Sequence, residues 1–254
     1  MERNYSNKTA VASLPIDNNV ATMLYDHTKK MMWSMVQYKE LQMMYSCALK
    51  EIQTKFEILD TEFKLQYKRN PISSISTRMK RTESIMEKLM RYDCPFTPES
   101  IEENINDVAG IRVICSYIDD IYQIADALLK QDDVTLVKRK DYIQNPKPNG
   151  YRSLHLIVKI PVFFADRKKE MKVEVQIRTV AMDFWASLEH QMKYKKDIPE
   201  QENVIAELKE CADAICAIDE KMLSIRRRLE EAEDAPSEEE ILFEKISKLD
   251  LPIG

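Results

Sequence analysis

Lys172-Val173-Glu174-Val175-Gln176-Ile177-Arg178 alternates polar and apolar residues without a break. Successive side chains of a β-strand point to opposite faces, so Val173, Val175 and Ile177 share one face and Glu174, Gln176 and Arg178 the other. A row of Glu, Gln and Arg is also what a merely solvated strand face would show. Two neighbouring segments open a second reading. Ala181-Met182-Asp183-Phe184-Trp185-Ala186 is apolar enough to cover the sheet, and Asp107-Val108-Ala109-Gly110-Ile111-Arg112-Val113 sets an acid and an arginine in another apolar run. Two carboxylates, Asp107 and Glu174, converging from neighbouring strands could hold Mg²⁺, which takes hard oxygen ligands and keeps places for substrate phosphates. Arginines and lysines beside them would neutralise phosphate oxygens during a transfer.

Outward from these two segments, residues 108–117, 135–142, 153–163 and 171–179 are rich in Val and Ile and bounded by turn residues, which predicts strands. Residues 119–131 read as a helix between the first two. Before them, apolar residues recur at helical spacing from about Val20 to Lys68, including Met23, His27, Met31, Met35 and Tyr38. The methionines there read as adaptable core or subunit contact. Ser73 to Arg91 reads as a second helix, with Ile75, Met79, Ile85, Met86 and Leu89 inward. Thr97-Pro98-Glu99 is an N-cap followed by proline at the first helical position, opening a short helix to about Asn104. After Val180 the pattern is helical again through Lys196, then from Glu200 to Glu233, then briefly near Glu238 to Lys248. Val204, Ile205, Leu208, Ala212, Ile215, Ile218, Met222, Ile225 and Leu229 form an apolar stripe fit to pack on the core or on another subunit. The fold class is α+β: a mixed sheet of four to five strands flanked by helices. Residues 1–18 read as a flexible arm, 19–197 as the catalytic domain, and 198–254 as helices for oligomerisation.

A chain of 254 residues with 44% apolar and 32% charged residues supports one well-formed core. Its net charge of −5 argues against a general nucleic-acid binder. Lysines and arginines nevertheless crowd 68–91 and 138–152 while acid gathers in the tail, a distribution that suits a small polyanionic ligand. No apolar run is long enough to span a bilayer, and the first residues carry no signal-peptide core. The scattered cysteines at 47, 94, 115, 211 and 216 read as free thiols of a reducing cytoplasm. His27, His155 and His190 lie too far apart in sequence to announce a zinc site.

Glycine is the sharpest compositional signal. The chain has 3 where average usage gives roughly 18. Gly110 lies inside a strand, marking either a packing contact or a close approach of ligand. Gly150 closes the turn Asn145-Pro146-Lys147-Pro148-Asn149-Gly150. Tyr151 follows directly, placed either as a core tyrosine or to stack on a base, with Arg152 or His155 reaching polar groups.

The motifs, taken together, carry a resemblance. Ile75-Ser-Thr-Arg-Met-Lys80 through Glu87-Lys-Leu89, Asp107-Val-Ala-Gly-Ile-Arg112, Arg139-Lys-Asp-Tyr-Ile143, Asn145-Pro-Lys-Pro-Asn-Gly-Tyr-Arg-Ser-Leu-His155 and Glu174-Val-Gln-Ile-Arg-Thr179 occur in order. Over about residues 70–197 the chain resembles the synthetase domain of the RelA/SpoT alarmone enzymes, and its brevity resembles the small, synthetase-only members. The resemblance implies a nucleotidyltransferase-like synthetase fold, a homotetramer built by the flanking helices, and a pyrophosphokinase. In that reaction the 3′-hydroxyl of GDP or GTP attacks the β-phosphate of ATP, AMP leaves, and ppGpp or pppGpp forms. Carried over by motif, Asp107 and Glu174 would hold Mg²⁺, with Glu174 also activating the hydroxyl. Arg78 and Arg112 would sandwich adenine, and Lys80, Ser84 and Lys88 would meet ATP phosphates. Tyr151 would stack on guanine, His155, Lys140 and Lys147 would face the acceptor's phosphates, Gln176 would stand in the surrounding shell, and Asp183 near guanine. The basic run Lys138-Arg139-Lys140 stands where some members are acidic, a place from which the choice between GDP and GTP could be set.

Two other classes compete. A nucleotide- or RNA-binding regulator on the same fold would not need both Asp107 and Glu174. An enzyme moving a nucleoside monophosphate usually shows a Gly-Ser pair and an Asp-x-Asp, and this sequence has neither.

Overall fold

A computed structural model describes residues 18–66, 69–193 and 201–233. The elements run α1 (Asn18–Gln66), β1 (Ile72–Met79), α2 (Thr82–Arg91), α3 (Pro98–Asn104), β2 (Ala109–Cys115), α4 (Ile118–Leu129), β3 (Thr135–Asp141), β4 (Leu154–Phe163), β5 (Lys168–Thr179), α5 (Val180–Lys193) and α6 (Gln201–Glu233). The expected arm and the short helix near 238–248 fall outside the described residues, except that Asn18 already begins α1.

The strands form one mixed sheet in the order β1-β2-β5-β4-β3. Only β2 and β5 run parallel; the other neighbours are antiparallel. The strand quoted first is therefore the centre of the sheet. Its Val173, Val175 and Ile177 are fully buried, as are Leu154, Leu156 and Val158 opposite them on β4. Leu41, Tyr45, Ala48, Ile52 and Phe56 of α1 and Ile121, Ile124 and Leu128 of α4 belong to the same core. This apolar layer covers one face of the sheet, and the polar halves of the alternation are left to the other face.

One element departs from expectation. Residues 72–79 form a strand, and only 82–91 form a helix. Ile75 and Met79 stand four apart, which fits one helix face but also, being an even separation, one strand face. Pairing with β2 decides between them: Arg78 lies opposite Gly110, and the Lys80 amide extends the ladder to the Val108 carbonyl at 2.8 Å. The expected cap of α3 is present, with Thr97 accepting from the Ser100 amide at 3.2 Å. The methionines of early α1 are not core. Met23, Met31, Met32 and Met35 are all more than half exposed, together with Trp33 and Val36. The α6 stripe splits: Leu208, Ala212 and Ile215 pack inward, while Ile218, Met222 and Leu229 face outward. No described helix is long and apolar enough to cross a membrane, and all the cysteines are free.

Candidate active site

Register places the polar residues of the open sheet face on two rungs. One rung runs Ser76, Arg112, Gln176, His155, Lys140 across the strands. The other runs Arg78, Gly110, Glu174, Ile157, Lys138. Residues paired across strands share a face. Side chains drawn from five separate stretches of sequence thus line up on one surface, with Glu174 in the middle.

Asp107 stands just ahead of β2. Its carboxylate accepts from Lys88 Nζ at 2.8 Å and Lys80 Nζ at 3.0 Å. Burial pulls the Asp107 carboxyl upward, but hydrogen bonds from Lys88 and Lys80 outweigh it and hold the group below its ordinary value. Glu174 is also drawn up by burial, yet its bonds with His155 and Gln176 keep it low, and the nearby charge of Asp107 opposes them. Both carboxylates are therefore ionised at neutral pH. Hard oxygen donors of this kind, close enough to feel each other's charge, suit a divalent cation that shares its other places with phosphates. Among the described residues no group of three or more His, Cys, Asp or Glu could form a self-sufficient metal site.

On the β4 side, a hydrogen-bonded chain ends on Glu174. Arg178 Nη2 donates to the Tyr151 hydroxyl at 2.6 Å. The Tyr151 hydroxyl and His155 Nε2 are 2.8 Å apart, and His155 Nδ1 is 3.3 Å from Glu174 Oε1. Arg178 can only donate and the ionised Glu174 can only accept, so with a neutral ring His155 Nδ1–H donates to Glu174 and the Tyr151 hydroxyl donates to His155 Nε2. Burial depresses the histidine pKa, and the charges of Arg178 and Lys147 add to the effect despite Glu174, so the ring is neutral, as this direction needs. Gln176 Nε2 donates to the other Glu174 oxygen at 2.9 Å. Local chemistry builds the loop carrying Tyr151: Asp141 Oδ1 accepts from the amides of Ile143 and Gln144, and Asn149 Oδ1 from that of Tyr151. Lys147 Nζ lies 4.6 Å from the Tyr151 ring centroid and 4.8 Å from that of Tyr142.

On the β1 side, Ser76, Thr77, Arg78, Gly110, Ile111, Arg112 and Gln176 line an open cleft of about 230 Å³. A Cβ at Gly110 would make only ordinary contacts, the nearest at 3.8 Å to Arg78, so packing does not demand glycine there. Open access to the cleft is the reading left. Arg112 Nε is buried without a partner, while its Nη1 lies 3.2 Å from Asp183 Oδ1. The same oxygen accepts from Arg178 Nη1 at 3.1 Å, so Asp183 joins the two halves of the site.

Most of the expected residues converge, but not equally. Asp107, Lys80, Lys88, Glu174, Gln176, His155, Tyr151, Lys147, Arg78, Arg112 and Asp183 lie around the carboxylate pair or its two flanks. Ser84 is half-buried one turn before Lys88 on α2, and Lys140 stands at the exposed rim of β3 opposite His155. Arg152 turns away from the site and donates to the Ala212 carbonyl of α6 at 3.0 Å. Two participants had no assigned role. Arg178 is signalled by its place in the alternation, two residues past Gln176. Tyr142, whose ring meets His155 edge-on at 5.3 Å, has no such signal.

Residues 77–199 match the family described as a region found in RelA / SpoT proteins. GTP pyrophosphokinase YwaC of Bacillus subtilis (strain 168) is 48% identical over 198 residues, covering 77% of this chain and 93% of that protein. GTP pyrophosphokinase YjbM of the same strain is 35% identical over 199 residues, covering 78% and 93%. Among solved structures, small alarmone synthetase 2 from Bacillus subtilis superposes with a TM-score of 0.68 at 47% identity, covering 76% of this chain and 99% of that one. Small alarmone synthetase 1 from Bacillus subtilis, bound to its product pppGpp, gives 0.70 at 36% identity, covering 76% and 98%.

Proposed function

The chain belongs to the RelA/SpoT family, and we propose that it works as one of its short GTP pyrophosphokinases through the carboxylate pair Asp107 and Glu174. The reaction carries the β,γ-pyrophosphate of ATP to the 3′-hydroxyl of GDP or GTP, with release of AMP. One observation supports the division of labour best: Glu174 stands between the cleft lined by Arg78 and Gly110 on one side and His155 of β4, hydrogen-bonded to Tyr151, on the other.

Each side chain then has a role that its surroundings fit. Arg78 and Arg112, both lining the cleft, offer flat guanidinium faces to adenine. Lys80 and Lys88, already grouped on a carboxylate, are placed to meet the donor's phosphates, with Ser84 on the same helix. Tyr151 and His155 form the acceptor wall, with Tyr151 stacking on guanine and Asp183 beside it. Lys147 and Lys140 face the acceptor's phosphates. The ionised Glu174 accepts the proton of the 3′-hydroxyl as its oxygen bonds to the β-phosphorus and the bond to AMP breaks. His155 and Gln176 hold both Glu174 oxygens in place for that step. Mg²⁺, held by Asp107 and Glu174, would supply charge neutralisation and alignment of the phosphates.

The exposed apolar flanks of α1 and α6 support a homo-oligomer, and we take it to be a tetramer. Substrates of this kind and free thiols fit the cytoplasm. Incubating the protein with ATP, Mg²⁺ and either GDP or GTP tests the proposal. A guanosine tetra- or pentaphosphate with equimolar AMP is expected, and ATP consumption without such a product would overturn it.

A further inference from the structure

Gly150 is the tightest glycine among the described residues. Its φ is +86°, a left-handed conformation that disfavours any side chain, and a Cβ there would come within 2.4 Å of the Ala212 Cβ on α6. The turn before Tyr151 is thus pressed directly against α6. Arg152, on the other side of Tyr151, donates to the Ala212 carbonyl and lies 3.5 Å from Asp213 Oδ1. Tyr151 itself packs against the small apolar cluster of Trp185, Ala186 and Ala212, together with Leu208 and Ile215. That cluster is separate from the main core.

A second anchor lies at the end of β5. Thr179, next to Arg178, donates its hydroxyl to the buried carboxylate of Asp219 on α6 and accepts from the Met182 amide. Trp185 Nε1 donates to the Leu208 carbonyl at 2.9 Å. The loop that carries Tyr151 is therefore fastened to α6 directly, and the end of β5 that carries Arg178 is fastened to it through Thr179. The donor arginines are placed differently: Arg78 and Arg112 sit on paired strands β1 and β2.

We propose that α6 is the backing plate of the guanine-nucleotide half of the site, with Arg152 as the positioning residue that ties the Tyr151 loop to it. This rests on the acceptor role given above to Tyr151 and His155. Arg152 acts through the loop and touches neither nucleotide. Loss of its two contacts frees the loop against α6 and misplaces Tyr151 and His155, while the adenine cleft keeps its walls. The consequence is selective: acceptor binding weakens and donor binding does not.

The test compares wild type with Arg152→Ala and Arg152→Lys. Titration with GDP by calorimetry and steady-state KM for GDP and for ATP are the readouts. Arg152→Ala should weaken GDP binding and raise its KM about tenfold while the KM for ATP stays within about twofold. Arg152→Lys keeps a donor for the Ala212 carbonyl and should fall between the two. Equal rises in both KM values, or unchanged GDP binding in Arg152→Ala, would overturn the proposal. If Arg152→Ala does not fold, Arg152→Lys alone decides by the same split. A wild-type protein that binds GDP but makes no product would count against the pyrophosphokinase reading and leave the calorimetric test of Arg152 standing.

Discussion

Glu174 and Asp107 reach the same surface by different routes. Glu174 projects from the centre of the sheet, and Asp107 from the turn before β2, where Lys80 and Lys88 hold it ionised. Because the folded-state pKa of Asp107 lies below its ordinary value of 3.8, the stability it contributes is present above that value and is lost as pH falls through the depressed one. Asp107→Asn should therefore flatten the acid end of the stability curve measured by denaturant unfolding from pH 5 downward, and an unchanged acid limb would remove this assignment. Gly110 carries a second prediction at this scale. Its surroundings leave room for a Cβ, so Gly110→Val should fold with melting behaviour close to wild type. The added branches would project beside Arg78 and raise the KM for ATP severalfold with little change for GDP; an unaltered ATP KM would show that the cleft is not the donor site. At this scale alternation made Glu174 and Gln176 legible, because a period of two needs only neighbours in sequence. The bond from Arg178 to Tyr151 joins residues 27 apart in sequence and follows from tertiary packing alone.

Elements were legible where the sequence pattern had one interpretation. Strands β2 to β5 and helix α4 follow their apolar patterns, and Thr97 marks the start of α3 as its hydroxyl promises. Strand β1 was not legible, since Ile75 and Met79 satisfy both periods and the deciding partner, β2, lies more than thirty positions on. Turning this segment from helix to strand puts Arg78 beside Gly110 and forms the cleft proposed for the donor. Another element-scale feature is the polar joint between α4 and α6. Asp120 is buried and accepts from Arg69 through both oxygens, at 2.6 and 2.9 Å, and from the Tyr117 amide at 3.1 Å. The guanidinium groups of Arg69 and Arg226 approach the Tyr117 ring at 5.1 and 4.9 Å. Asp120→Ala removes the charge-assisted bonds from Arg69 and the Tyr117 amide, while Arg226 keeps Asp119 and Glu230, and should cost about 1–3 kcal/mol in chemical denaturation. A cost below about 1 kcal/mol would mean that the joint is ornamental.

The whole molecule presents one sheet face to the core and one to the chemistry, and apolar surface remains at both helical flanks. The first half of α1 exposes Met31, Met32, Trp33, Met35 and Val36, and α6 exposes Ile218, Met222 and Leu229. Contiguous apolar surface of this kind on a charged protein calls for a protein partner, and a second copy of the chain is the proposal made above. Met32→Glu combined with Val36→Glu should lower the assembly to a smaller species by light scattering without unfolding the monomer, whereas an unchanged mass would detach α1 from assembly. The central claim is more specific than assembly: a pyrophosphate moves, from the β-position of ATP, at a centre containing Glu174. ATP labelled on the α-phosphate and ATP labelled on the β-phosphate, each incubated with GDP and Mg²⁺, test it directly. The β-label should appear in guanosine tetraphosphate and the α-label in AMP, both at least about a hundredfold more slowly with Glu174→Gln. An α-label in the guanine product, or undiminished transfer by Glu174→Gln, would contradict it.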